Sequence, residues 1–109
     1  EPGLLEAEED GLERKQPLHV ACEEGALEAA RFLLDRGAAI NARNSIWFTP
    51  LMVASEAGRA EVVSMLLQRG ADFALRSKGS WTALIAASEG DEHDGSDHVA
   101  VIRLLVEDG

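Results

Sequence analysis

Pro50-Leu51-Met52-Val53-Ala54-Ser55 is a proline-led run of aliphatic and small residues, and runs of the same kind occur twice more in the chain. Pro17-Leu18-His19-Val20-Ala21-Cys22 precedes it and Ala83-Leu84-Ile85-Ala86-Ala87-Ser88 follows it, each start 33 residues after the last. Gly25 and Gly58 keep that interval, as do Gly37 and Gly70. An apolar pair stands ahead of each terminal glycine: Leu33-Leu34, Leu66-Leu67 and Leu105-Val106. From Gly70 to Gly109 the interval is 39, so the third unit carries a six-residue insertion. A fixed period of this length marks a stack of similar units, none able to bury its apolar face alone.

Within each unit the pattern predicts two short helices and a long loop. In the middle unit Thr49 is a natural N-cap and Pro50 pre-sets the first turn. Leu51, Val53 and Ala54 form the expected buried stripe, and Gly58 ends the helix. A second helix over Glu61–Arg69 turns Val62, Val63, Leu66 and Leu67 inward, with Gly70 as its C-cap. The equivalent helices fall at Leu18–Glu24 and Leu27–Arg36 in the first unit, and at Ala83–Glu89 and Val99–Asp108 in the third. Helices this short are marginal alone, so stability must come from stacking. Ala21, Ala54 and Ala87 permit close approach between neighbours.

These residues strongly resemble the ankyrin repeat family, over roughly Leu12 to Gly109. The closest matches are Pro17-Leu18-His19-Val20-Ala21, Thr49-Pro50-Leu51-Met52-Val53-Ala54, and Val62-Val63 followed by Leu66-Leu67-Gln68-Arg69-Gly70-Ala71-Asp72. The resemblance implies an all-α solenoid of three stacked helix-turn-helix units, each loop projecting as a finger, with fingers and first helices forming a concave surface that binds other proteins. The units span about 16–48, 49–81 and 82–109 of a single domain, with 1–15 as an acidic N-terminal cap or finger. Several positions depart from the family pattern. Gln16 replaces the usual Thr; Trp47 and Ser80 stand where the finger normally carries Gly, with Gly79 a flexible substitute one place earlier. Ala83 replaces Pro, and Asp91 replaces the inter-helix Gly. His19 is expected to hold local backbone by hydrogen bonding, and Cys22 to be a packed thiol.

Composition bounds what such a module can meet. The chain has 109 residues, 46 % of them hydrophobic and 28 % charged, which is a folding composition for one small domain. Twenty acidic against ten basic residues give a net charge of -10, a field that repels nucleic acid and anionic membranes and attracts basic partners. One cysteine forms no internal disulfide, and no 18-residue apolar window spans a membrane. Cytoplasm and/or nucleus is the expected location. The opening Glu1-Pro2-Gly3 reads as that of an excised piece. Residues 1 to 13 hold six acids and no base, with Leu4, Leu5 and Ala7 able to cover the first unit. Val101, Leu104, Leu105 and Ile102 fall at an end with no polar capping unit, so they either pack within the third unit or meet further repeats beyond Gly109.

No catalytic motif emerges, and neither a cofactor nor a metal is expected. The run Asp91-Glu92-His93-Asp94-Gly95-Ser96-Asp97-His98 is rich in metal-ligand types but fits no EF-hand loop, and it reads as a solvated insertion.

Residues one repeat apart stack in columns. Glu23, Glu56 and Glu89 align near the ends of the first helices, where like charges gain nothing for the fold and a basic peptide would relieve them. Arg43 and Arg76 align along the fingers and are extended by Lys78, with Arg14 and Lys15 as a further extension of the column in the first unit. Phe48 and Trp81 form an aromatic column, and Ile46-Trp47-Phe48 is an unusually apolar run for a finger tip. A protruding tryptophan is the common anchor of a protein interface. These residues are the expected contact surface of a non-enzymatic interaction module whose partner is a protein or peptide, including one with a basic segment. The alternative is a structural or regulatory scaffold segment of a larger protein. Two narrower readings are a methyl-lysine reader built on Phe48 and Trp81 near Glu56 or Glu89, and an oligonucleotide binder using Trp47 or Trp81 with Arg43, Arg76 and Lys78. The net charge opposes the last.

Overall fold

A computed structural model describes residues 16–90 and 97–108. Six helices occur among them: α1 (Pro17–Glu24), α2 (Leu27–Asp35), α3 (Pro50–Ala57), α4 (Ala60–Gln68), α5 (Ala83–Glu89) and α6 (His98–Asp108). The first helices form one layer, α3 packing between α1 and α5, while α4 packs against α2 and α6 in a second layer. The expected acidic cap over 1–15 and the six-residue insertion at 91–96 lie outside the described residues.

Local chemistry accounts for the helix ends. The Thr49 and Thr82 hydroxyls accept from the backbone N–H of Met52 and Ile85, each at 3.3 Å. Gln16 makes no such bond at the start of α1; its side-chain amide donates instead to the Arg43 carbonyl at 3.4 Å. Gly25 and Gly58 end α1 and α3 at φ 73° and 72°, a region glycine enters without a Cβ clash. The third unit departs from this. Helix α5 ends one residue before Asp91, at Gly90 in an extended conformation, and a Cβ there would overlap the His98 ring and the Glu56 carbonyl. Beyond the insertion Asp97 donates its N–H to the Gly58 carbonyl at 2.8 Å, which re-anchors the chain on the middle unit.

The core differs from the predicted stripes in instructive ways. On α3 the buried residues are Pro50, Leu51, Met52, Ala54 and Ser55, while Val53 is only half-buried. A helix with a neighbour on each side and another behind it buries a broader arc than an amphipathic surface helix, which favours positions i, i+1, i+3 and i+4. On α4 Val62, Val63 and Leu66 are buried as expected; Met65 joins them and Leu67 is half-buried. At the third unit, Val101 and Leu105 pack inside, with Ile102 and Leu104 half-buried against the core. The apolar groups left in water are others. Leu84 and Ile85 are 40 % and 39 % exposed, although one repeat earlier Leu51 and Met52 are each 1 % exposed.

Candidate functional site

The loops joining α2 to α3 and α4 to α5 are built alike. In the first, the Asn44 side-chain oxygen accepts from the N–H of Ile46 and of Phe48, both at 3.0 Å. Asn44 N–H donates to the Phe48 carbonyl at 3.0 Å, and Trp47 N–H to the Asn44 carbonyl at 2.9 Å. In the second, Ser77 occupies the same register: its hydroxyl accepts from Gly79 and Trp81 N–H, each at 3.2 Å. The tips so closed place Trp47 at φ 66° and Ser80 at φ 65°. Gly79 does not take up the left-handed conformation; Ser80 does so itself. A residue with a Cβ held there costs about 1 kcal/mol or more, which the bracket of hydrogen bonds must sustain.

That backbone sets Trp47 out from the finger, 46 % exposed. Its ring is flanked by cations from two different fingers: Arg43 Cζ lies 5.1 Å from the ring centroid and Lys78 Nζ 6.0 Å. The fingers are tied together where Lys78 N–H donates to the Ile46 carbonyl at 3.2 Å. Arg76 does not join this group; it turns back onto the Ser80 carbonyl at 3.4 Å. Among the described residues none of Arg43, Arg76 and Lys78 forms an ion pair. The pairs Arg31–Glu28 and Arg69–Asp35 lie on the second helices and their ends.

Phe48 and Trp81 do meet, their centroids 6.1 Å apart and planes tilted by 39°. They pack on one another rather than facing across a gap, so they do not form the open cage a methylated lysine needs. His19 fixes the Phe48 end of the finger: its Nε2 lies 2.8 Å from the Phe48 carbonyl, the structural role expected of it.

The glutamate column stands apart from this cluster. Glu23, Glu56 and Glu89 are all exposed at the ends of α1, α3 and α5. Partial burial, followed by the charge of Glu23, raises the Glu56 carboxyl above its ordinary value. Cys22 is fully buried and its thiol is pushed up to about 12, which leaves it unreactive.

Sequence reading missed Asn44 and Ser77, whose 33-residue spacing is the signal that marks them as one structural device. It also missed the structural use of Arg59, and of His98, which it grouped with the metal-ligand types of the insertion. Arg59 Nε donates to the Glu23 carbonyl at 2.9 Å, and His98 Nε2 makes the same contact with the Glu56 carbonyl at 2.7 Å.

No group of three or more His, Cys, Asp or Glu side chains suited to a metal occurs among the described residues. Residues 91–96 of the run considered as a metal ligand set lie outside them. No helix among the described residues is long and apolar enough to cross a membrane. A family model described as ankyrin repeats (3 copies) matches residues 4–77 and 45–109. None of the curated proteins compared with the chain matches it.

Proposed function

The chain belongs to the ankyrin-repeat family, whose members are generally protein–protein interaction modules and typically not enzymes, and from that premise we propose that it binds a partner protein through its fingers, with Trp47 as the anchor. The observation that carries the proposal is Trp47 itself: nearly half exposed, and held out by a bracket that keeps a non-glycine residue in a left-handed conformation. Ile46 and Phe48 adjoin it in the chain, Trp81 packs on Phe48, and Arg43, Arg76 and Lys78 supply charge. The Glu23, Glu56 and Glu89 column is a second contact region for a basic stretch of the partner; the Glu56 carboxyl is raised first by partial burial and then by the Glu23 charge, and a cation there would offset the second. The proposed activity is binding alone, without catalysis.

The test is paired affinity capture with the native chain and with a variant carrying Trp47→Ala, Phe48→Ala and Trp81→Ala, folding being checked by circular dichroism. A partner captured by the native chain and lost by the variant supports the finger face. A partner held equally by both places binding elsewhere.

One observation favours a second reading, that of a scaffold segment. Leu84 and Ile85 occupy the register that buries Leu51 and Met52 beneath the next unit, yet they are exposed. A further helix pair stacked on α5 would cover them.

A further inference from the structure

Resting on the finger face as the binding site, we infer that it takes an acidic peptide segment of the partner, with carboxylates on Arg43 and Lys78 and a neighbouring aliphatic side chain on the Trp47 ring. The first ground is a local inversion of charge. In a chain of net charge -10, residues 38–49 and 71–82 contain Arg43, Arg76 and Lys78 against a single acid, Asp72. The Asp72 carboxylate is engaged locally, accepting from Ala74 N–H at 2.9 Å. These two loops are therefore locally positive within an acidic chain.

The second ground is how the cations are held. Arg43 and Lys78 form no ion pair among the described residues. Both lie against Trp47, and Lys78 is fixed at its backbone by the neighbouring finger. Contact with a ring face leaves guanidinium and ammonium N–H groups available to accepting oxygens. Because both cations already rest against the ring, less side-chain freedom is lost when a ligand binds.

The third ground excludes other ligands. A cationic group approaching Trp47 would meet two positive charges, and Phe48 and Trp81 pack against each other at 6.1 Å without a gap between them for one. An extended nucleic acid would have to run from the fingers into the field of Glu23, Glu56 and Glu89, where an acidic protein repels it. A short acidic segment remains on these two loops. Apolar contact with Trp47 then supplies burial that charge alone lacks.

The experiment follows the Trp47 indole N–H resonance, assigned with Trp81→Phe, while the intact chain is titrated with three synthetic peptides. Each has a leucine flanked on both sides by glutamate, glutamine or lysine. The glutamate peptide is expected to shift the resonance, and to bind about tenfold more tightly than the glutamine peptide. Arg43→Gln and Lys78→Gln should each weaken it about fivefold, and raising salt from ~0.05 to ~0.5 M should weaken it further. The inference is overturned if the glutamine or lysine peptide binds as well, if both substitutions leave binding unchanged, or if none of the peptides binds. It is also overturned if a single-stranded oligonucleotide shifts the resonance at lower concentration. A lysine peptide that shifts the Trp47 resonance while the glutamate peptide does not would keep the finger face and reverse its charge preference. Binding of the glutamate peptide without any response at Trp47 would remove the finger face itself.

Discussion

His98 Nε2 lies 2.7 Å from the carbonyl oxygen of Glu56, one repeat beyond the bond from Arg59 Nε to the carbonyl of Glu23. The two contacts are the same latch made by different side chains: each reaches from the start of a second helix to the last turn of the preceding unit's first helix. Since the carbonyl accepts, His98 donates through Nε2. The latch matters most at His98, where the chain returns from the insertion and Gly90 leaves room for the ring.

Replacing His98 with alanine removes a buried ring and its hydrogen bond together. The unfolding free energy in urea should fall by about 2 kcal/mol, whereas Arg59→Ala, at a more exposed bond, should cost about 1 kcal/mol. Equal losses at both positions would mean the ring adds nothing beyond the bond.

Trp47 and Ser80 share a backbone conformation and differ in side chain and surroundings, so glycine at each separates strain from function. Ser80→Gly should raise stability by about 0.5 kcal/mol, the relieved strain being partly offset by the freedom glycine gains when unfolded. Partner binding should survive that change. Trp47→Gly also relieves the strain but forfeits the contacts with Arg43 and Lys78, so stability should stay within about 0.5 kcal/mol. Its binding should fall by about 2 kcal/mol or more, as for a central aromatic anchor. Thermal melts beside binding isotherms check both.

The 33-residue interval made the helix pairs legible because glycines, prolines and apolar pairs recur with it whatever the neighbouring units do. Burial within each helix was less legible. Met52 and Ser55 are buried because α3 has neighbours on both sides, a property of the stack and not of the helix's own period. The candidate site was legible as residues and not as an arrangement. Trp47 announced itself by its type, but its left-handed backbone contradicts the ordinary preference of a bulky residue. Lys78 reaches the same ring only because its N–H is bonded to Ile46, a link between fingers that no local pattern displays. Arg76, which spacing grouped with Arg43, bonds instead to a carbonyl of its own finger.

Glu56 gives a prediction in pH. Its carboxyl titrates above the ordinary value of 4.5 in the folded chain, first through partial burial and then through Glu23. A raised carboxyl binds its proton more tightly when folded than when unfolded. Its contribution to stability therefore falls as pH rises from the unfolded value through the folded one, and stays unfavourable above both. Glu56→Gln should raise the melting temperature at neutral pH, with the gain shrinking to nothing below about pH 4. Glu23→Gln should narrow the Glu56 shift without abolishing it, since burial is the larger cause. Carboxyl titration by nuclear magnetic resonance reads that directly.

Leu51 and Leu84 stand at the same position of successive units, and their difference distinguishes a finished stack from a continued one. Leu51 is 1 % exposed on α3, which packs between α1 and α5, so Leu51→Ala should cost about 3 kcal/mol through lost transfer energy and the cavity left behind. Leu84 is 40 % exposed on the outer side of α5, and Leu84→Ala should cost less than about 1 kcal/mol in the 109-residue chain. If a further helix pair normally covers α5, fusing one there should raise the cost of Leu84→Ala towards that of Leu51→Ala. Ile85→Ala should follow it, because Met52 is buried at its register. Urea unfolding of the two chains, with and without the added pair, measures this coupling. An unchanged cost at Leu84 would mean the added pair does not stack on α5, which removes the observation favouring a scaffold.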